Sequence, residues 1–249
     1  MKIGRFRERE RERIFYGLVW EDKVIDLTSE ERRAYPLQDL KILPPVVPTK
    51  IVAVGLNYRD HAEELNMPIP QEPILFLKPP SAIVGPEDFI ILPPESKEVH
   101  YEGELAIVIG KEIYRPKKYQ EVEEAILGYT CFNDVTARDL QRKDGQWTRS
   151  KSFNTFAPIG PFIVKDIDPE GLTIQTRVNG KVVQNSKTSA LIFKPLELVY
   201  FISQIMSLYP GDVIATGTPP GVGLLHPGDV VEIEIENVGI LRNYVQALE

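Results

Sequence analysis

One cysteine, Cys131, stands among the 249 residues of the chain. An internal disulfide framework is thereby excluded, and a reducing compartment such as the cytoplasm is expected. Histidine is scarce as well: His61, His100 and His226 are the full set. A histidine-rich zinc centre is disfavoured, and His226, beside Pro227 in a turn, is set aside. Positive charge is in deficit, with a net charge of -7, so no nucleic-acid footprint is expected. No apolar run approaches the roughly 20 residues that a membrane helix needs. The opening MKIGRFRERERERIF has no apolar signal-peptide core, so neither membrane nor export is expected. Internal repeats and low-complexity tracts are missing too. Apolar residues are plentiful at 43%, enough for a substantial core in one large domain, or in a large one with a small one attached.

The charged run RFRERERER allows two readings. As a helix it stacks Arg5, Arg9 and Arg13 at four-residue spacing, like charge on like. As a strand it puts arginines on one face and glutamates on the other. With IFYGLVW and VIDL behind it, it reads as an exposed hairpin. Residues 1–45 form a small β-rich unit that ends in the proline-dense ILPPVVPTK. Residues 46–249 hold the main domain. Its strands are IVAVGLNY, EPILFLK, GPFIV, LTIQTRVNGKVVQ, VIATGT and VVEIEI. Helices are expected in DHAEELN, PKKYQEVEEAILGYT, LELVYFISQIMSLYP and VTARDLQRKD, the last capped by Asn133 or Asp134. The turns Pro210-Gly211-Asp212 and Pro227-Gly228-Asp229 each precede a strand. The class is α+β and β-rich.

HYEGELAIVIG places two carboxylates at the mouth of an apolar strand. Glu102 and Glu104 share a face that continues as Ala106 and Val108, while Tyr101, Leu105, Ile107 and Ile109 form the other. Both faces are apolar beyond Glu104, as in a strand covered on both sides. VVEIEIEN offers a contrast: Glu232, Glu234 and Glu236 make one face acidic throughout, as in a half-solvated strand. Buried carboxylates need compensation by a lysine or arginine, a shared proton or a metal.

Other residues able to do chemistry are dispersed. Asp134, Arg138 and Gln141 share one face if a helix spans them. A charged surface face accounts equally well for that spacing. His61 and Glu64 are helical neighbours, and a carboxylate beside an imidazole raises its basicity and fixes its tautomer, as a general base requires. A surface histidine explains the same pair, and HAEEL lacks the HExxH spacing of zinc proteases. Lys151 lies between a helix and an apolar strand, where lysines are usually solvated. Thr218 sits in ATGTPPGVG, a loop able to bring backbone amides to a ligand, though plain turns look the same and no nucleotide-binding spacing is present.

In order along the chain, VGLNYRDHAEEL, PILFLKP, VHYEGELAIVIGK, GYTCFNDVTARDLQ, TRSKSFNTFAPIGPF, VNGKVVQNSKTSALIF, ATGTPPGVG and LRN together resemble the fumarylacetoacetate hydrolase family. The resemblance runs from about Ile51 to the C-terminus, and the short N-terminal unit is similar to that of smaller bacterial and archaeal members. It implies a mixed β-roll catalytic domain and a homodimer. It implies divalent-metal ligands at Glu102, Glu104 and Asp134, and a water-activating dyad of His61 and Glu64 on a mobile helix. It also implies a charge-stabilising lysine at Lys151, a water-orienting Gln141, and Lys78, Arg138 and Thr218 near substrate oxygens. Asn154 departs from the pattern, since relatives often have aspartate there. Three carboxylates without sulfur or imidazole favour a hard cation, Mg2+ first, with Mn2+ or Ca2+ able to substitute. The implied substrate is a small 2-oxo or 2,4-dioxo acid, and the HxxE pair favours hydrolytic C–C cleavage of an acylpyruvate. Isomerisation of a 2-hydroxyhepta-2,4-diene-1,7-dioate type of substrate, or oxaloacetate decarboxylation or tautomerisation, is the alternative. A non-enzymatic β-rich ion-binding protein is the third reading.

Overall fold

The computed structural model describes residues 1–64 and 66–248. Among them the dominant element is a mixed sheet of 12 strands. Its spine runs from Lys2–Glu8 through Ala157–Val164, Ile126–Asn133, Gly103–Ile109, Val213–Ala215 and Ile51–Gly55 to Ile74–Lys78. A second sheet of 5 strands joins Lys181–Lys187, Thr173–Val178, Val230–Ile235, Gly239–Ala247 and Phe89–Leu92. A third, of 3 short strands, joins Thr136–Ala137, Val99–Tyr101 and Gly223–Leu224. Five α-helices lie among the described residues, so the β-rich α+β expectation holds.

Gly103–Ile109 is central to this arrangement. Every residue of the strand is buried. Leu105, Ile107 and Ile109 enter a core shared with Ile233, Ile235 and Leu241 of the five-stranded sheet and with Leu198, Val199 and Ile202. Ala106 and Val108 enter a different core, with Ile51, Ala53, Phe132, Ile159 and Ala215. Each buried aliphatic side chain contributes roughly 1.5–3 kcal/mol, so the strand is fixed from both sides. The helix Pro195–Ile205 supplies the outer cover. Proline at its first position and Glu197, which accepts from the Lys194 N–H at 2.7 Å, start it. Its buried Pro195, Leu198, Val199 and Ile202 recur at helical spacing. Val231, Ile233 and Ile235 are buried, whereas Glu232 and Glu234 sit at the partly exposed face and pair with Arg177. The contrast between the two acidic strands is therefore observed. Asn179 and Gly180, with φ of 52° and 77°, form the hairpin turn between Thr173–Val178 and Lys181–Lys187.

Four sequence expectations need correction. The helix expected in PKKYQEVEEAILGYT covers only Tyr119–Ala125, and Ile126–Asn133 is a strand paired with Gly103–Ile109. Neither Asn133 nor Asp134 caps the next helix: Arg138–Asp144 starts after Ala137. The intervening chain turns back as Thr136–Ala137 to pair with Val99 and His100. Asp134 therefore does not share a helix face with Arg138 and Gln141. Finally, RFRERERER does form a hairpin with Ile14–Trp20; it is exposed at its tip, Arg9 to Glu12, but one face of its strands is buried. Phe6 and Phe15 are buried with Val24 and Leu40. Arg13 bonds Glu8 at 3.1 Å and pairs with the buried Asp26. Lys2 and Ile3 also pair with Val164 and Ile163, so the N-terminal strands continue the large sheet.

The Pro210-Gly211-Asp212 turn is a stability element. The carboxylate of Asp212 accepts from the Thr49 N–H at 2.9 Å, the Thr49 hydroxyl at 2.7 Å, the Tyr209 N–H at 2.9 Å and Lys50 Nζ at 2.5 Å. Burial opposes its charge, but these donors hold the carboxyl below its ordinary value. A depressed carboxyl contributes stability that is whole above the unfolded value of about 4 and fades as pH falls through the folded one. Asp212→Asn is expected to cost about 2–3 kcal/mol at pH 7. Urea titrations should show the gap to wild type closing in acid.

Candidate active site

Glu102 occupies the junction where the chain leaves Val99–Tyr101 in the three-stranded sheet and enters Gly103–Ile109 in the large one. Asn133 Oδ1 accepts the Glu102 N–H at 2.9 Å, and the Asp134 N–H donates to the Glu102 carbonyl at 2.9 Å. These two backbone ties bring the end of Ile126–Asn133 against the acidic strand. One carboxylate oxygen from each of Glu102, Glu104 and Asp134 then falls within 4.8 Å of the others, and all three residues are buried.

The three acids differ in what balances them. Glu102 takes Lys151 Nζ at 3.1 Å, the Arg138 guanidinium and the Thr136 hydroxyl at 3.1 Å. Burial opposes its charge, yet Lys151 and Arg138 hold its carboxyl far below the usual range. Asp134 takes Lys151 Nζ at 2.5 Å on one oxygen and Lys78 on the other. Glu104 has no cationic partner among the described residues; it accepts the Gly217 N–H at 2.8 Å. Burial, with the Asp134 and Glu102 charges beside it, raises its carboxyl well above the usual range. A buried carboxylate short of positive charge, facing two more through oxygen atoms only, fits a hard divalent cation. The cluster could hold one through Glu102, Glu104 and Asp134.

The remaining candidates are placed around this cluster. A cavity of about 350 Å3 is lined by all three acids together with His61, Arg138, Gln141, Lys151 and Thr218. Lys151, expected to be solvated if unimportant, is 2% exposed. His61, on the helix Arg59–Glu64, is buried, and its Nδ1 lies 2.8 Å from Glu64 Oε2. Arg138 and Gln141 lie one turn apart on Arg138–Asp144, with Arg138 donating to Gln141 Oε1 at 2.6 Å. Lys78 lies behind the cluster: fully buried, it donates to Asp134 and to the Val135 carbonyl at 3.1 Å. Asn154 follows the short helix Thr148–Lys151 and makes none of these contacts.

Gln184 lies under the site, although its sequence context suggested no role. From the five-stranded sheet its Oε1 accepts the Gly103 N–H at 3.0 Å and the Thr176 hydroxyl at 2.7 Å. Its Nε2 donates to Thr218 Oγ1 at 2.9 Å and to the Pro219 carbonyl at 2.7 Å. The Thr218 hydroxyl in turn donates to the Gly103 carbonyl at 2.9 Å. The loop beyond Val213–Ala215 is thus pinned to the acidic strand. Gly221 permits the close approach: a Cβ there would come 2.2 Å from the Val183 carbonyl oxygen, and its φ is 95°. The Gly221 N–H reaches Glu64 Oε1 at 3.2 Å, so one loop touches both the acids and the histidine–glutamate pair. Gln184→Leu leaves several buried groups unpaired and is expected to cost about 2–3 kcal/mol in urea-induced unfolding.

A sequence profile described as "Fumarylacetoacetate (FAA) hydrolase C-terminal" matches residues 50–246. The chain belongs to the fumarylacetoacetate hydrolase family. The bovine protein named mitochondrial oxaloacetate tautomerase FAHD2A is 50% identical over 226 residues, 84% of this chain and 71% of its own length. The crystal structure of 5-carboxymethyl-2-hydroxymuconate delta-isomerase from Mycobacterium smegmatis matches with a TM-score of 0.93 at 44% identity, covering 100% of both chains. That of maleylpyruvate hydrolase from Sphingobium sp. SYK-6, in complex with manganese(II) and pyruvate, matches with a TM-score of 0.84 at 28% identity, again over 100% of both. Relatives within this fumarylacetoacetate hydrolase fold thus include a tautomerase, an isomerase and a hydrolase. The described residues of this member include no helix long and apolar enough to cross a membrane.

Proposed function

We propose that this fumarylacetoacetate hydrolase family member is a Mg2+-dependent enzyme that cleaves the C3–C4 bond of a small 2,4-dioxo acid of the acylpyruvate type. The observation that supports this most is His61, buried on the cavity wall with its Nδ1 engaged by Glu64 at 2.8 Å and the acid cluster lining the same cavity. With Nδ1 donating to the carboxylate, Nε2 is the basic nitrogen left for chemistry. Glu102, Glu104 and Asp134 would hold the cation, which supplies a Lewis acid for the oxygens of the 2-oxo acid.

The chain's own groups divide the work as follows. His61 takes a proton from water, and Gln141, beside Arg138, orients that water towards the C4 carbonyl. Oxygen bonds to C4, the C3–C4 bond breaks, and its electron pair passes to the 2-oxo acid fragment as an enolate. A proton returned to C3 completes pyruvate, and the acyl group leaves as a carboxylic acid. Lys151 and Arg138, both at the cavity wall, offset the negative charge that develops. Lys78, bonded to Asp134 and to the Val135 carbonyl, holds Asp134 in place. The Thr218 hydroxyl proton is directed at Gly103, so this side chain offers the substrate a lone pair, suited to an enol hydroxyl.

The bovine relative's name favours a second reading, in which His61 moves a proton between carbon and oxygen without attacking water. Acetylpyruvate in 18O-labelled water separates the two. Hydrolysis puts one solvent oxygen into the acetate formed together with pyruvate. Tautomerisation exchanges C3 hydrogens with D2O and releases no pyruvate, and that outcome would overturn the hydrolytic assignment.

A further inference from the structure

The cavity that holds the acids is also lined by apolar side chains, Val54, Leu56, Met67, Ile74, Phe76 and Trp147. Phe76 lies against both Lys151 and Trp147. Lys151 Nζ lies 4.8 Å from the centre of its ring, which also packs edge-to-face with Trp147 at 5.2 Å between centroids and 74° between planes. Trp147 rests on Gly55, where a Cβ would lie 2.8 Å from Cζ3 and 3.0 Å from Cη2. A line of contacts, Lys151 to Phe76 to Trp147 to Gly55, therefore connects the acid cluster to the strand Ile51–Gly55. The glycine provides the space in which the indole lies.

The cations around the cavity are all engaged. Lys151 bonds Glu102 and Asp134, and Arg138 bonds Glu102 and Gln141. Arg142, at the rim and 61% exposed, pairs with Glu98. His61 is tied to Glu64. A carboxylate against these apolar walls would lose water and find no unengaged cation among the described lining residues, which is costly. A hydrocarbon group would bury against aromatic and aliphatic walls, which is favourable. The total volume, about 350 Å3, is at the small end of the roughly 300–1,000 Å3 usual for ligand sites.

We infer that the far end of the substrate is an uncharged alkyl or aryl group rather than a second carboxylate, and that Trp147, seated on Gly55, sets its permitted size. This inference rests on the 2-oxo acid reading above. Two measurements on the full-length protein with Mg2+ test it. First, phenylpyruvate and oxaloacetate, 2-oxo acids with an aryl and a carboxylate end, are titrated against tryptophan fluorescence, with Trp147→Phe as the control for the origin of the signal. Phenylpyruvate is expected to bind at least tenfold tighter and to quench Trp147. Second, kcat/KM is compared for acetylpyruvate, benzoylpyruvate and fumarylpyruvate in wild type and Gly55→Ala. The two uncharged-end substrates are expected to exceed fumarylpyruvate by at least tenfold, and the added methyl is expected to lower the benzoyl-to-acetyl ratio at least tenfold. Tighter binding of oxaloacetate, preference for fumarylpyruvate, or an unchanged ratio in folded Gly55→Ala would overturn the inference while leaving a 2-oxo acid enzyme standing. If neither acid bound and no substrate turned over, the underlying functional reading would fail and this one with it.

Discussion

Glu104→Gln should reduce Mg2+-dependent turnover by about a thousandfold or more, since the several kcal/mol that a Lewis acid supplies to the transition state are lost with its ligand. Calorimetry should show cation affinity falling in parallel. The same substitution has a second, opposite signature. Glu104 is the one acid of the three to which no cation is bonded among the described residues, and burial and the two adjacent carboxylates oppose its ionisation. In excess chelator, Glu104→Gln should therefore melt at least as high as wild type, because an amide retains an acceptor for the Gly217 N–H without a buried charge. Added Mg2+ should raise the melting temperature of wild type and leave the variant unmoved. A carboxylate that served only the fold would give the reverse: a lower melting temperature in chelator and an unaltered response to the cation. Intact cation affinity in the variant would remove Glu104 from the site.

His61→Ala should lower kcat by about 10²- to 10⁴-fold, the range for a lost general base. Cation affinity should change little, because the imidazole is not among the clustered acids. Glu64→Gln should have a smaller effect, about tenfold to a hundredfold, by weakening the orientation of the ring. Its loss also touches the loop, since the Gly221 N–H donates to the same carboxylate. Turnover that survived His61→Ala unchanged would remove the proton-transfer role altogether.

Much of this arrangement is legible in the sequence, for identifiable reasons. The covered strand Gly103–Ile109 could be read from the apolar character of both its faces, and its two faces do enter two different cores. The turns before Val213–Ala215 and Val230–Ile235 follow from local chemistry, which needs no distant partner. The errors fall where partners are remote. The apolar residues of EVEEAILGYT suit helix or strand alike up to Leu127. The strand wins after Ala125 because Gly103–Ile109 is beside it to be paired. Asp134 looked like a helix cap, since nothing nearby in sequence reveals that Thr136–Ala137 pairs with Val99 and His100. His61 and Lys151 resembled surface residues for the same reason: what buries them comes from distant parts of the chain. Gln184 gave no local signal, and its importance lies in four bonds made to groups 8 or more residues away.

The placing of Glu102 at the seam between two sheets makes the cluster a gauge of how those sheets lean on one another. Glu104 moves with the large sheet, whereas Glu102 also follows the small one. A slight tilt at the seam would alter the bite offered to an ion without changing a single ligand. Packing substitutions behind the seam, around Val99 or Leu225 for example, are thus expected to shift cation affinity without altering a carboxylate.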